Sequence, residues 1–314
     1  MIKEENNMAT TETSSGDPWV KEVQEWYNEE YKDRTGFVEI TVDGIVGPGT
    51  CKALVWALQM ELNLASPDGI FGNQTIAAYE QVGINENSTK NLIFILQGGF
   101  ICKGIDCQGF DGQYGTHLRM AIEVFRSYTG MNGEAVMDAR HMKALLNTDP
   151  FVLSRDGKKY VLDIQRYLNL NYSDFYWKSL GLIPCNGIPE RNMVKAIVYA
   201  LQYEEAKAAA TGAAINTSGV DGIVGTNTLN NAPVLALVSD KTAFVKILQM
   251  ALACMHTADV GLDGVFDSDV EKAVISFQKF MCLNQDSSVK LGIVDRKTWA
   301  SLLISKDDMS RVKL

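Results

Sequence analysis

The sequence predicts an all-α protein of two duplicated halves, each built from small orthogonal three-helix bundles. Three observations predict it. Two long stretches of the chain align with one another. A turn of the form Asp-Gly-apolar recurs and leads each time into a helical pattern. No long β-branched alternation of the kind that marks strands occurs anywhere. The turn includes one hexapeptide present twice, Val42 to Gly47 and Val220 to Gly225, both reading VDGIVG. A chain of 314 residues with 46% apolar content has material for several cores.

The elements follow in order. Residues 1–17 are polar, lack an apolar segment and read as a disordered tail ending before Pro18. Copy A spans 18–149 and copy B 159–306, with a connector over 150–158 and a frayed tail over 307–314. "WVKEVQEWYNEEY" from Trp19 pairs with "YVLDIQRYLNLNY" from Tyr160. "KALVWALQMEL" from Lys52 pairs with "KAIVYALQYEE" from Lys195, and the helix at Ile95 pairs with that at Ile247. Ala53, Leu54, Ala57, Leu58 and Leu62 form one apolar stripe at helical spacing. Ala121, Ile122 and Phe125 form another, repeated by Ala273, Val274 and Phe277. The largest insertion is "AKAAATGAAINTSG" in copy B. The strand-like piece "FVEITV" is too isolated to make a sheet.

The loops carry Asp43, Gly44 and Gly47; Asp68, Gly69 and Gly72; Asp111, Gly112 and Gly115; Asp221, Gly222 and Gly225; and Asp263 with Gly264. A sixth, at Asn186, has lost its second glycine. Each Asp is expected to accept backbone N–H bonds. The first Gly supplies positive φ, and the second permits another tight bend. Val46, Phe71, Tyr114, Val224 and Phe266 are spaced to plug the core, and Thr50, Thr75 and Thr228 to satisfy helix-start N–H groups. These are structural roles. A calcium loop needs further oxygen ligands and a terminal Glu that "DGIVGPGTCKAL" lacks, and "DSDVEKA" reads better as an acidic first turn complementing a helix dipole.

The pattern resembles the peptidoglycan-binding-domain type 1 repeat of bacterial cell-wall proteins. The residues carrying it are Leu248, Gln249, Asp263, Gly264, Phe266, Ala273, Phe277 and Gln278, with a departure at Asp267 where that family usually has Gly. The stretch from Ile95 to Phe125 is a second match. The resemblance implies a non-catalytic three-helix module that tethers a hydrolase to peptidoglycan. The arrangement also resembles the amino-terminal region of some Gram-positive proteins with a glycoside-hydrolase-like domain, which would follow Leu314.

Function classes narrow further. A net charge of −9 disfavours duplex nucleic acid and docking on anionic membranes. No apolar run is long enough for a membrane span. The start lacks a Sec-type apolar region, so an extracellular or cell-wall location would be reached by another route, with the cytoplasm as the alternative. The six cysteines are sparse and sit mostly in apolar stretches, which favours buried thiols. Cys102 and Cys107 are the one pair close enough in sequence for a local disulfide. The three histidines His117, His141 and His256 form no zinc-peptidase pattern. Cys51, at a helix start, is the one thiol placed like a nucleophile, and its counterpart in copy B is Val194. No cofactor, metal or catalytic constellation is expected.

For ligand contact, "NYSDFYWKSLG" reads as a polar loop bearing exposed aromatics. Tyr172, Tyr176 and Trp177 are therefore candidate sugar-stacking residues, together with Tyr114. Trp56 and Tyr199 fall on apolar stripes and read as core. The first reading is an anchor whose partners are the peptidoglycan glycan or stem peptide and a fused or associated hydrolase domain. The second is an assembly module that has lost glycan binding, and the third is a cell-wall hydrolase with an unrecognised site.

Overall fold

The structure, a computed structural model, describes residues 16–210 and 214–304. The tails expected over 1–17 and 307–314 lie almost wholly outside the described residues, as do three residues of the copy B insertion. The described residues are all-α, and their one β feature is an isolated antiparallel bridge between Leu235 and Val294. No described helix is long and apolar enough to cross a membrane.

Among the described residues, twelve α-helices follow one plan twice. Copy A contributes α1 (Pro18–Tyr31), α2 (Pro48–Glu61), α3 (Asn73–Val82), α4 (Lys90–Cys102), α5 (Thr116–Tyr128) and α6 (Ala139–Leu145). Copy B contributes α7 (Lys159–Leu180), α8 (Arg191–Ala209), α9 (Thr226–Asn231), α10 (Thr242–His256), α11 (Ser268–Phe280) and α12 (Arg296–Leu303). The chain divides into two compact units, residues 1–122 with 135–148, and 123–134 with 149–314. The compact units are therefore not identical with the sequence copies, because the division falls inside α5.

In the first unit α1, α2 and α4 pack on one another, and α6 packs on α3 and α4. Val20, Val23, Leu54, Leu58, Ile95 and Leu96 are buried there, as apolar stripes at helical spacing require. Tyr31 is edge-on to both Trp26 and Trp56, at 5.6 and 5.9 Å between ring centroids. In the second unit α7, α8 and α10 repeat the triplet, α12 packs on α9 and α10, and α11 packs on α10. Its core runs from Val161 and Leu168 through Ile197 and Leu201 to Leu248, Phe277 and Trp299.

One side chain organises the loops. Gln59 on α2 is buried, and its Oε1 accepts from the backbone N–H groups of Asp68 (2.9 Å) and Gly69 (2.8 Å). Its Nε2 donates to Asp68 Oδ1 (2.8 Å), the Ile70 carbonyl (3.0 Å) and Thr75 Oγ1 (2.9 Å). One amide thus bonds five polar groups of the loop, two of them backbone donors, and its bonds to Gly69 N–H and Thr75 Oγ1 are buried. The same clamp recurs at Gln24 on Asp43, Gln97 on Asp111, Gln202 on Asp221 and Gln249 on Asp263. Gln165 holds Asn186, whose amide oxygen replaces the carboxylate (3.0 Å). A seventh clamp, unmarked by Asp-Gly, has Gln278 accepting from Gly292 N–H (2.9 Å) and donating to the Ile293 carbonyl (2.8 Å) and Thr298 Oγ1 (3.1 Å).

Two expectations for the loop are corrected. The threonines do not cap helices: Thr50, Thr75 and Thr228 lie inside the first turn and accept from the clamp amide (3.2, 2.9 and 3.3 Å). The second glycine is not a tight bend: Gly47, Gly72 and Gly225 are N-caps in extended backbone. Any residue adopts that conformation, which is why Asp267 can stand there. Its carboxylate caps α11, accepting from Asp269 and Val270 N–H (3.0 and 2.9 Å), with Asp269 and Glu271 in the first turn. The first glycine does need positive φ. At Gly222 φ is 71°, and a Cβ would sit 2.3 Å from the Tyr199 ring.

In copy A the position matching Thr298 is His141, and the position matching Asp295 is Asp138. Asp295 caps α12 and accepts from Thr298 Oγ1 (2.9 Å). Asp138 caps α6 and accepts from the buried His141 ring through Nδ1 (2.8 Å). Burial pushes the Asp138 carboxyl up, but the His141 hydrogen bonds and charge and the Arg140 guanidinium outweigh it, holding the group far below the usual aspartate range.

Candidate functional site: an equivalent groove in each copy

The predicted aromatic contact region is corrected first. "NYSDFYWKSLG" is not a loop but the last half of α7, a 22-residue helix. Tyr172, Tyr176 and Trp177 are buried on its inner face. The Tyr172 hydroxyl donates to Glu204 (3.2 Å), the Tyr176 hydroxyl donates to Asn169 Oδ1 (2.9 Å), and Lys178 Nζ lies 5.4 Å from the Trp177 ring centroid. Spacing was the signal: Leu168, Tyr172, Tyr176 continue the stripe begun by Val161 and Ile164. Tyr114 is half-buried, with its hydroxyl donating to the Ala135 carbonyl (3.3 Å). None of the four offers an exposed aromatic platform.

The Asp-Gly loops do not form a common site either. Their aspartates are consumed by the clamp and by an Asx turn, as in Ile45 N–H to Asp43 Oδ1 and Ile70 N–H to Asp68 Oδ1, both 2.9 Å. These bonds hold the carboxyls of Asp43, Asp68, Asp111 and Asp263 below the ordinary aspartate value: the backbone N–H of Ile45 contributes most at Asp43, and the clamp glutamine most at the other three. Trp56 and Tyr199 are core.

What the two copies share on their surface is a groove. In copy A it lies between the start of α1, with Asp17 and Trp19, and the segment following α4, with Ile105, Asp106, Cys107 and Gln108, and it encloses about 210 Å³. In copy B it lies between the start of α7, with Tyr160 and Asp163, and the segment following α10, with Ala258 to Leu262, and it encloses about 350 Å³. The linings of the two grooves correspond in part. Trp19 matches Tyr160, and Ile101 matches Ala253 in the register that sets Cys102 on Cys254.

Local structure explains each wall. Asp17 caps α1 by accepting from Trp19 N–H (2.9 Å). The buried stripe of α1 runs Val20, Val23, Gln24, Tyr27, Tyr31, which leaves Trp19 off the core face and 54% exposed. That exposure is unusual for tryptophan and leaves its indole face accessible. Opposite, Asp106 Oδ1 accepts from Gln108 N–H (2.7 Å) and fixes a turn in which Gln108 has φ 52°. In copy B the Tyr160 hydroxyl donates to the Thr257 carbonyl (3.3 Å), and Lys158 Nζ lies 5.8 Å from its ring centroid. Each groove therefore joins an aromatic wall to carboxylate and backbone polar groups, the chemistry that recognises sugars and acyl-amino groups. The sequence reading passed over Trp19, although its place off the α1 stripe was a usable signal.

Reactive groups near the grooves are quiet. Cys107 is buried and its thiol is pushed up to about 11 by burial, with its Sγ hydrogen directed at the Gly109 carbonyl (3.4 Å). Cys102 and Cys107 are both free thiols, and burial raises Cys102 to about 12. His117 is exposed near the start of α5, and His256 Nε2 lies 2.9 Å from Ser276 Oγ. Among the described residues no group of three or more His, Cys, Asp or Glu side chains could hold a metal ion.

Fold and grooves together define a duplicated all-α repeat protein, its loops locked by buried glutamines and each copy bearing an aromatic-walled surface groove. Residues 13–146 and 154–303 each match the family described as FadG/YbfG, PGDB-like domain, and the chain belongs to that family. It is 34% identical to FadG of Bacillus subtilis (strain 168) over 304 residues, covering 94% of this chain and 50% of that protein. It is also 34% identical over 300 residues to YbfG of the same strain, covering 94% of this chain and 39% of that protein. Both relatives are described as uncharacterized, and the chain spans half or less of their length. No solved structure matches.

Proposed function

We propose that this chain is a non-catalytic cell-wall-binding module that holds peptidoglycan through the two equivalent grooves. The observation that carries the reading is the repetition of an aromatic wall, Trp19 and Tyr160, at matching places in both copies. The PGDB-like description of the family and the likeness of the loops to peptidoglycan-binding-domain type 1 repeats support it. In this reading the aromatic face stacks on a sugar or acyl group, and two weak sites on one chain raise avidity beyond either alone. The module anchors a hydrolase, fused or associated, at the cell wall, outside the membrane.

Retention of the purified chain on sacculi tests it. Trp19→Ala with Tyr160→Ala is expected to lower retention at least ten-fold with the helical circular dichroism unchanged. Failure of the unaltered chain to bind sacculi sinks the proposal and, with a dimer in light scattering, favours an assembly role. Clearing of a cell-wall zymogram by the chain alone would make it a hydrolase instead.

A further inference from the structure

The second compact unit takes in residues 123–134, the latter half of α5 and the turn after it, from copy A. That turn is seated on α7. Asn169 Nδ2 donates both to the Thr129 carbonyl (3.1 Å) and to the Ile183 carbonyl (2.9 Å), and Asn169 Oδ1 accepts from Ile183 N–H (2.8 Å). Gly130, at φ 81°, packs against Arg166 so closely that a Cβ on it would lie 2.7 Å from the Arg166 Cβ. Thr129 is fully buried, and residues 181–187 are buried without exception.

Copy A has the same receiving surface, and it is open. Asn28 matches Asn169, Glu25 matches Arg166 and Ile40 matches Ile183. Asn28 Nδ2 donates to the Ile40 carbonyl (2.7 Å) and its Oδ1 accepts from Ile40 N–H (3.0 Å), as in copy B. The second Nδ2 hydrogen, which Asn169 gives to Thr129, has no partner among the described residues. The strap over 37–42 carries Val38 at 70% and Val42 at 38% exposure, where the matching chain in copy B is enclosed.

Copy B has the same inserting turn, and it is open too. In the register that sets Phe125 on Phe277, Thr129 matches Met281 and Gly130 matches Cys282. Thr129 and Gly130 N–H donate to the Phe125 and Ser127 carbonyls (both 3.1 Å). Met281 and Cys282 N–H donate to the Phe277 and Lys279 carbonyls (2.9 and 3.0 Å). Gly130 and Cys282 are both left-handed, at φ 81° and 59°. Yet Met281 is only half-buried, Cys282 is exposed, and Phe280 is 69% exposed.

We infer that a second copy of this chain docks here: the turn at 280–283 of one copy seats on Asn28, Glu25 and the strap of the next, as the turn at 128–131 seats on Asn169 within one chain. The Met281 carbonyl accepts the free Asn28 hydrogen. Phe280 and Val38 are apolar surface available for burial on the two sides. Charge is complementary, because Glu22 and Glu25 are exposed on α1 and Lys279 is exposed in the last turn of α11. The two surfaces differ, so the contact is heterologous and adds copies beyond two. Cys282 bears a Cβ where Gly130 has none, which holds the turn further from α1 and makes the contact between chains looser than the one within a chain.

Light scattering of the full chain over a concentration series tests the inference, together with a thiol trap. Mass is expected to rise with concentration past two chains. Cys282 is the one exposed thiol of the six, so Glu25→Cys places a partner opposite it. Diamide, taking up the two electrons and two protons lost as the thiols join, should give a ladder of dimer, trimer and higher bands that a reductant collapses. The ladder should be absent from Glu25→Ser, from Glu25→Cys combined with Cys282→Ser, and from Glu86→Cys, an exposed control elsewhere. Lys279→Glu should weaken association about five-fold. Cys282→Gly, which restores the fit of Gly130, should tighten it about ten-fold. A single-chain mass throughout with no ladder overturns the inference and assigns the open surfaces to a different partner. Bands that stop at the dimer, or a ladder equally strong from Glu86→Cys, overturn the head-to-tail contact. Sacculus retention is read separately, and neither its presence nor its loss bears on this contact.

Discussion

The connection from α2 to α3 and the connection from α8 to α9 begin and end alike and differ in between. Both begin at a buried glutamine and end at an Asp-Gly turn, with clamp distances agreeing to within 0.4 Å (Thr75 at 2.9 Å, Thr228 at 3.3 Å). Between those points one path is nine residues long and the other nineteen. The clamp therefore fixes the geometry of the loop end regardless of how the chain arrives there. Added residues are free to build something else, because loop-closure entropy grows only slowly with length. In copy B they carry the helix on to Ala209, and the residue that changes character lies on it, Leu62 in copy A and Glu205 in copy B.

The sharpest way to break the comparison is to remove the clamp on each side. Gln59→Ala and Gln202→Ala should each cost about 3 kcal/mol in urea unfolding, since several buried polar groups lose their partner at once. Unequal losses beyond about 1 kcal/mol would show that loop length does matter to the clamp.

A smaller contrast separates the two glycines of one loop. Gly222→Ala should cost about 2 kcal/mol or more, because positive φ and the Tyr199 ring both oppose a Cβ. Gly225 has extended backbone and no atom within 4 Å of a Cβ. Gly225→Asp should therefore raise stability by about 1 kcal/mol, by copying the Asp267 cap. A thermal melt of the two variants reads the difference, and similar losses in both would overturn the division of labour.

The Leu62 and Glu205 pair gives a pH-dependent contrast. Glu205 binds its proton more tightly in the folded chain, at about 8 against an ordinary 4.5. Between those values the folded chain keeps a proton that the unfolded chain has released, so Glu205 lowers stability progressively as pH rises from 4.5 to 8. Glu205→Leu should remove that slope and raise stability by about 1–2 kcal/mol at pH 8, with a smaller gain at pH 5. A gain that does not depend on pH would contradict the burial argument.

The smallest effect is at the loop carboxyls. Asp68 is held below its ordinary 3.8, so its contribution is present above that pH and is lost as pH falls through the lower folded value. Asp68→Asn should change stability at pH 7 by less than about 0.5 kcal/mol, because Asn186 already makes the same bonds with an amide oxygen. It should also flatten the acid limb of the unfolding curve. Loss of the loop in this variant, seen as faster hydrogen exchange at Gly69, would show that the charge itself is needed.

Much of this was legible in the chain. The pairing of Lys52–Leu62 with Lys195–Glu205 gives the duplication, and the Ala53, Leu54, Leu58 stripe gives a helix with one buried face, because side-chain period follows directly from backbone geometry. The Asp-Gly turn was legible as a turn, since Gly222 needs a conformation that few residues adopt. Its mechanism was not. The partner that locks it is the glutamine of the preceding helix, whose reach across the bundle exists only after the helices pack. For the same reason the seventh clamp, at Gly292, carried no Asp-Gly mark. Tyr172, Tyr176 and Trp177 were misplaced because polar neighbours in "NYSDFYWKSLG" suggested a loop, while packing against α8 and α10 carried α7 through to Leu180. Composition and period thus determined an all-α duplicated chain and the positions of its turns. Only tertiary structure decided which surfaces remain open, at Trp19 and Tyr160, and which carboxyl is enclosed, at Glu205. Exposure and desolvation belong to the packed assembly of helices and not to any one segment.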